Sequence, residues 1–374
     1  MTPRPPNGSR SADACVIGGG LVGIAIALGL QRHGLDVAVL DEGDVALRAS
    51  RGNFGLVWVQ GKGDTQPAYA SITRRSARLW PDLARRLHEQ TGIDVQLQQR
   101  GGLYLCLTEA ELEARRQMLA KMRDAAGGDY PHETLDLAQV RDYFPDIGDE
   151  VAGATWCPED GHLNPLLLLR ALTQRFRAQG GVIDNGGRVQ GIERQGEAFR
   201  VTTPSGDWSC AKVVLAAGLG NRELAPMVGL SAPVFPNRGQ VLIAERVRPF
   251  LHYPTGHVRQ TGEGTVQIGD SKEDVGFDSG TTTDVMAHIA HRAVRLFPLL
   301  RDVRMVRAWG ALRVMTPDGY PVYEASRDCP GAYLVTCHSG VTLGALHEGP
   351  LADWIARDET DLPLEVFHAQ RFAL

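Results

Sequence analysis

The sequence predicts an α/β fold, α+β overall: a nucleotide-type lobe built from discontinuous segments, with a second, mostly antiparallel lobe inserted. Three observations carry that prediction. A strand, a glycine-rich turn and an apolar helix open the chain at residues 14–30, and a continuous apolar strand returns at Lys212–Ala217. A strand and helix close the chain at Tyr333–Cys337 and Leu343–Ile355. Between these pieces, Pro233–Gly276 has the strand-and-turn texture of an antiparallel sheet. At 374 residues the chain exceeds the size at which one core keeps growing, so two lobes are expected.

The opening strand runs into Gly18-x-Gly20-x-x-Gly23, and a second strand, Asp36–Leu40, ends at Asp41 with Glu42 beside it. This is the Rossmann-like pattern for a dinucleotide. Gly18 permits the tight turn, Gly20 lets the backbone approach a pyrophosphate, and Gly23 allows close helix–strand packing. Asp41 lies 21 residues beyond Gly20, where a carboxylate for a ribose hydroxyl belongs. The helix N-terminus offers unpaired N–H groups to phosphate. The uncharged run Ala14–Leu30 is short and glycine-rich for a membrane span.

Next, Glu42–Gly63 is rich in glycine, with an apolar insert at Phe54–Val59, a composition suited to a loop near a ligand. Helices are predicted over Tyr69–Thr91, Glu109–Ala126, Leu163–Gln179 and Thr281–Phe297, the third opened by Asn164-Pro165 as N-cap and first turn. Strands are predicted over Gln96–Leu107, around a Gly101-Gly102 turn, over Gly181–Gly206 and over Val306–Val314. The expected organisation is a flexible tail at 1–11, a nucleotide lobe from 12–80, 150–225 and 305–374, and a substrate lobe from 81–149 and 226–304.

Hydrophobic content of 43%, charge of 22% and a net charge of −5 suit a soluble enzyme and give no reason to expect a nucleic acid partner. The six cysteines are scattered with no CxxC pair, so no metal site and a reducing, cytoplasmic setting are expected. Residues 1–11 lack the apolar core of a signal peptide. Association with the inner face of a membrane through Phe54–Val59 is an alternative to pocket lining for that insert.

Four further stretches join the fingerprint: Ser50-Arg51-Gly52-Asn53-Phe54-Gly55, Asp160–Pro165, Val213–Gly218 and Trp309–Gly319. With Cys337-His338-Ser339-Gly340-Val341-Thr342-Leu343 they resemble the FAD-dependent amine and amino-acid oxidoreductases of the D-amino-acid oxidase type, along nearly the whole chain. The last block looks most like the FAD-containing subunits of bacterial hydroxyproline, opine and cyanide-forming glycine dehydrogenases. An NAD-dependent dehydrogenase is the competing reading.

The resemblance implies non-covalent FAD, with Gly18, Gly20 and Gly23 at the pyrophosphate, and Asp41 and Glu42 at the ribose. It puts Ser50 and Asn53 near the flavin, and Val189 with Ala217 and Gly218 at the adenosine. Gly340, Val341 and Thr342 would turn N–H groups toward the pyrimidine carbonyl of the isoalloxazine. Arg313 would grip a substrate carboxylate through two parallel N–H donors, unless it pairs with a structural acid such as Asp318. His338 and His257 are further candidates for the substrate pocket, and Arg259 could serve in place of His257.

By the same resemblance, a neutral amine loses its α-hydrogen as hydride to flavin, and the imine hydrolyses. Gln267 stands where oxygen-reactive relatives carry a lysine, and Leu312-Arg313 where some carry a flavin-linking cysteine. The expectation is therefore a dehydrogenase passing electrons to a quinone, to a partner flavin or iron–sulfur subunit in a hetero-oligomer, or more slowly to oxygen.

Overall fold

Four consecutive apolar residues, Ala14–Ile17, end the first strand, β1 (Arg10–Ile17), and all four are buried because apolar cores cover both faces of the strand. The computed structural model describes residues 10–43 and 49–373; residues 44–48 of the Glu42–Gly63 stretch and residues 1–9 of the expected tail lie outside them. Arg10 and Ser11, expected in the tail, belong to β1, in register with Trp208 and Ser209.

Helix α1 (Leu21–Gln31) follows, then β2 (Val37–Leu40), parallel to β1. The main sheet runs in the order Val322–Ala325, Ala332–Thr336, Gly206–Leu215, β1, β2, Val182–Asp184. Its first pair is antiparallel and the rest are parallel. The strand expected from Lys212 begins at Gly206 because its first half pairs with Ala198–Thr203. Ala14 and Val16 face one apolar core with α1, and Cys15 and Ile17 face a second core on the other side. Burial all round α1 accounts for its uncharged sequence, and among the described residues no helix is long and apolar enough to cross a membrane.

Helix α2 (Pro67–Thr91) starts with proline in its first turn and ends at Gly92, whose φ of 71° suits glycine. In Pro165–Ala178, Asn164 accepts from the N–H groups of Leu166 and Leu167, the N-cap that its sequence announces. The C-terminal helix expected over 343–355 is instead broken. Pro350 cannot continue the hydrogen-bond ladder, and the chain kinks at Gly349 before Ala352–Arg357.

A four-stranded antiparallel sheet, ordered Val258–Gln260, Thr265–Ile268, Phe235–Arg246, Met305–Met315, backs a third apolar core shared with Thr283–Leu296. Two boundaries of the sequence-based division differ here. Met305–Met315 pairs along its length with Phe235–Arg246, so it belongs to this sheet and not to the nucleotide sheet. Gly153–Cys157 pairs with Gly102–Cys106 and Glu133–Asp136 in a separate three-stranded sheet.

Three buried histidines predict an acid limit on stability. Burial lowers the pKa of His347 to about 3, that of His162 to about 3 with Arg259 assisting, and that of His257 to about 4 with Arg292 assisting. Unfolded, each takes up a proton near pH 6.5. Each therefore contributes stability that is present above pH 6.5 and lost as pH falls toward its folded value, at about 1 kcal/mol per pH unit per group. Thermal unfolding from pH 7 to 4 should show this slope. It should be shallower in His347→Gln, whose amide keeps a hydrogen-bond partner for the Tyr323 hydroxyl, 2.8 Å from Nε2 of His347.

Candidate active site

The carboxyl ends of the parallel strands open onto a cavity of about 360 Å³, lined by Ile17 of β1, Leu40 of β2, Ala216 after Gly206–Leu215, and Val335 of Ala332–Thr336. Ligands of open α/β sheets bind at such a crevice. Gly18, Gly20, Asp41, Glu42, Ser50, Asn53, Val189, Ala217, Gly218, His338 and Gly340 all line it. Gly18 has a φ of 109°, and a Cβ on it would lie 2.5 Å from the Ala216 carbonyl oxygen. Gly23 does not reach the cavity. It lies against the Gly18 carbonyl, where a Cβ would stand 1.9 Å from the oxygen, and this contact keeps α1 close to the turn.

The polar groups here are oriented by local bonds. Asp41 accepts from the N–H of Gly19 at 2.6 Å and of Gly43 at 2.8 Å, which fixes its carboxylate at the cavity edge. Ser50 Oγ accepts from the Leu21 N–H at 2.9 Å, while Gly20, the N-cap of α1, adds no side-chain cap. Asn53 Oδ1 accepts from the Gly55 N–H at 2.7 Å.

A second cavity, of about 240 Å³, shares Ala49, Asn53 and His338 with the first. One wall is the antiparallel sheet, where Gly239 and Val241 alternate on one strand with Ala311 and Arg313 on its neighbour. Ser339, Val341 and Thr342 of the turn 339–342 line it as well, with Leu56, Trp58 and Lys62. Among the described residues, the N–H groups of Gly340, Val341 and Thr342 donate to no protein acceptor. The turn is held from behind, since the Thr342 carbonyl accepts from Ser76 Oγ at 2.7 Å and Trp80 Nε1 at 3.1 Å, both on α2.

Arg313 lies over Gly239, where a Cβ would come within 2.3 Å of the guanidinium. It donates to Asn237 Oδ1 at 3.1 Å and to Asp270. Asp318, the alternative partner considered from sequence, is instead bound by Arg371 at 2.7 Å. His338 is held neutral by burial and by the cations Lys62, Arg313 and Lys272.

Two candidates fall elsewhere. His257 lies outside both linings, its ring centroid 5.0 Å from that of Tyr104, whose own ring faces the cavity. Arg259 is buried and spent on His162 Nδ1, Gln267 Oε1 and the Leu163 carbonyl, so both it and Gln267 brace the sheet. The sequence reading missed Lys62, Tyr104 and Asp270. For Lys62 a signal existed: a lysine between two glycines, immediately after the apolar insert.

Lys62 donates to Ser339 Oγ at 2.8 Å, and burial lowers its pKa to about 8, with Lys272 adding to the shift. Tyr69 donates to the same hydroxyl at 2.8 Å. The Cys337 thiol, which lines the first cavity, is pushed up to about 12 by burial.

The chain is similar to known proteins along most of its length. An opine oxidase component from Agrobacterium tumefaciens (strain Ach5) is 45% identical over 368 residues, covering 96% of this chain and 97% of the relative. Its counterpart from Rhizobium meliloti is 42% identical over 361 residues, covering 96% and 97%. The crystal structure of glycine oxidase from Geobacillus kaustophilus superposes with a TM-score of 0.89 at 25% identity, covering 96% of this chain and 98% of that one. The model of the DAO family, FAD dependent oxidoreductase, matches residues 13–353. By that match, and by its 45% identity with a relative covered over 97% of its length, the chain belongs to the DAO family of FAD dependent oxidoreductases.

Proposed function

We propose that the chain oxidises an amino or imino acid at the carbon beside its nitrogen, with FAD along the first cavity and substrate in the second. The observation that carries this reading is Arg313, a guanidinium fixed on a sheet and lining a cavity that shares a wall with the dinucleotide crevice. The residues present fit FAD. Gly18, Gly20 and Gly218 leave the space that side chains would fill, and the start of α1, where Gly20 adds no side chain of its own, suits a pyrophosphate. Asp41 and Glu42 then meet the ribose, and Val189 and Ala217 meet the adenosine. Ser50 and Asn53 flank the approach to the ring, and the free N–H groups of Gly340, Val341 and Thr342 stabilise negative charge gained there on reduction.

Bound FAD supplies a two-electron acceptor for hydride. Arg313 binds the substrate carboxylate through paired N–H donors and so orients the adjacent C–H bond. The amine must arrive uncharged, and the positive field of Lys62, Lys272 and Arg313 favours loss of its proton. Loss of hydride from the carbon, with both electrons of the C–H bond, would leave an iminium that gives its N–H proton to water, and water then splits the imine to a carbonyl compound and an amine. His338, neutral, forms the shared wall without adding charge. Gln267 brings no cation, its amide being engaged by Arg259, which supports a quinone or partner protein as electron acceptor in preference to oxygen.

The test is anaerobic stopped-flow mixing with glycine, sarcosine, proline, hydroxyproline, D-amino acids and opines. Bleaching of the flavin by at least one supports the reading, and no bleaching by any of them overturns it. A second reading, an FAD subunit active only inside a hetero-oligomer, is favoured by the two relatives, each named as one subunit of an opine oxidase. Among the described residues no cluster could hold a metal ion, so electrons bound for iron–sulfur would leave through another chain. Dye reduction by the isolated chain at full rate would exclude this second reading.

The raised pKa of Cys337, the thiol that lines the first cavity, keeps it protonated and not activated for attachment to the ring. Acid precipitation should release all yellow colour into the supernatant.

A further inference from the structure

Lys62 and Arg313 both line the second cavity. Arg313 already faces an anion, Asp270. Lys62 does not: among the described residues no carboxylate lies within ion-pair distance of its ammonium, and the Ser339 hydroxyl is its one hydrogen-bond partner. That hydroxyl, also receiving the Tyr69 proton, holds the ammonium beside the Ser339–Thr342 turn and leaves two of its N–H donors unused. Lys272, exposed, adds a third positive charge within electrostatic reach of this corner. Among the described residues, Lys62 is therefore the cavity-lining cation without an acidic partner.

We propose that Lys62 is a specificity-determining residue that binds a second carboxylate, so that the preferred substrate is an amine bearing an acid group at each end. The inference rests on the reading of Arg313 as the anchor of the first carboxylate. An ammonium suits the second position because its donors rotate, whereas the planar guanidinium fixes the acid next to the reacting carbon. The geometry also separates two tasks. The Arg313 end, on the rigid sheet, sets orientation, and the Lys62 end, on the loop after the apolar insert, selects length.

The groups around Lys62 give the binding a pH signature. His338 is held neutral and the Cys337 thiol is protonated up to about 12, so neither changes charge between pH 7 and 9. The Tyr69 hydroxyl is pushed above its ordinary range by burial and stays neutral as well. Lys62, with a pKa of about 8, is the group that discharges in that window.

The experiment titrates the flavin absorbance of the holoenzyme with glutarate and with butyrate, which differ by one terminal carboxylate. Expected for the wild type at pH 7 is about tenfold or tighter binding of glutarate. That ratio should fall toward one as pH rises from 7 to 9. Lys62→Met should bring it near one at pH 7 without weakening butyrate, and Lys62→Arg should restore it and carry it past pH 9. Equal weakening of both ligands in Lys62→Met, or a wild type with no preference for glutarate, overturns the inference. Should Lys62→Met lose flavin, Lys62→Arg and the wild-type pH series still decide. Bleaching by amines on the same preparation tests the parent reading separately, so bleaching without a Lys62-dependent preference rejects this inference alone.

Discussion

Gly23→Ala should yield a protein that purifies without yellow colour and unfolds far below the wild type. The added methyl would lie 1.9 Å from the Gly18 carbonyl oxygen and 3.3 Å from Ala216 Cβ. Neither neighbour can yield alone, because Gly18 is itself pinned, its N–H on the Leu40 carbonyl at 2.8 Å. Helix α1 must move off β1, which opens the crevice between the strand ends. Overpacking of this kind costs about 1–3 kcal/mol and occasionally more, and backbone against backbone belongs at the upper end. Gly34→Ala serves as control. Its φ of 76° is also unfavourable to a side chain, yet nothing lies within 4 Å of the added carbon. That variant should keep its flavin and lose only about 1 kcal/mol. Flavin-to-protein absorbance ratio and thermal unfolding read both outcomes. Equal flavin content in the two variants would remove Gly23 from its packing role.

Arg313→Ala should leave flavin content near normal and nearly abolish turnover of carboxylate substrates. The guanidinium is held by Asn237 and Asp270, so little reorganisation is needed when an acid binds. Removing one partner of such a charge-assisted contact costs roughly 2–5 kcal/mol, or about 30-fold to several thousandfold in affinity. The variant also leaves Asp270 facing the cavity without its cation, which repels an anionic substrate further. Asp270→Asn separates these effects: it keeps Arg313 and removes the repulsion, so binding of a carboxylate should hold or tighten. Dissociation constants from flavin spectral titration are the measurement. Unchanged affinity in Arg313→Ala would take the residue out of the site.

The nucleotide half of this protein was legible because its determinants are local. Three glycines, the strand before them and the acid after them specify a turn whose geometry depends on no distant partner. Asn164-Pro165 is legible for the same reason. Residues meeting across the fold were not. Arg259 and Arg313 read alike, each a basic residue in a strand pattern. What distinguishes them is that Arg259 finds His162, Gln267 and the Leu163 carbonyl, while Arg313 faces a cavity. Met305–Met315 reads as a strand but carries no mark of which sheet it joins. The break in the last helix was visible as Pro350 and went unused. Tyr104 and Lys62 reach one cavity from segments about 40 residues apart, a convergence that periodicity does not encode.

The strand that bears Arg313 ends at Met315, and the chain passes within a few residues into Val322–Ala325, an edge of the nucleotide sheet. On the role proposed for Arg313, a single short bridge of peptide would space the acid-binding group from the nucleotide crevice, independently of how the remaining three strands of the antiparallel sheet are decorated. New substrates can be accommodated by changing side chains on Phe235–Arg246 or the loop bearing Lys62 while that spacing is retained. Shortening the 316–321 bridge by one residue should instead slow electron transfer from every substrate alike.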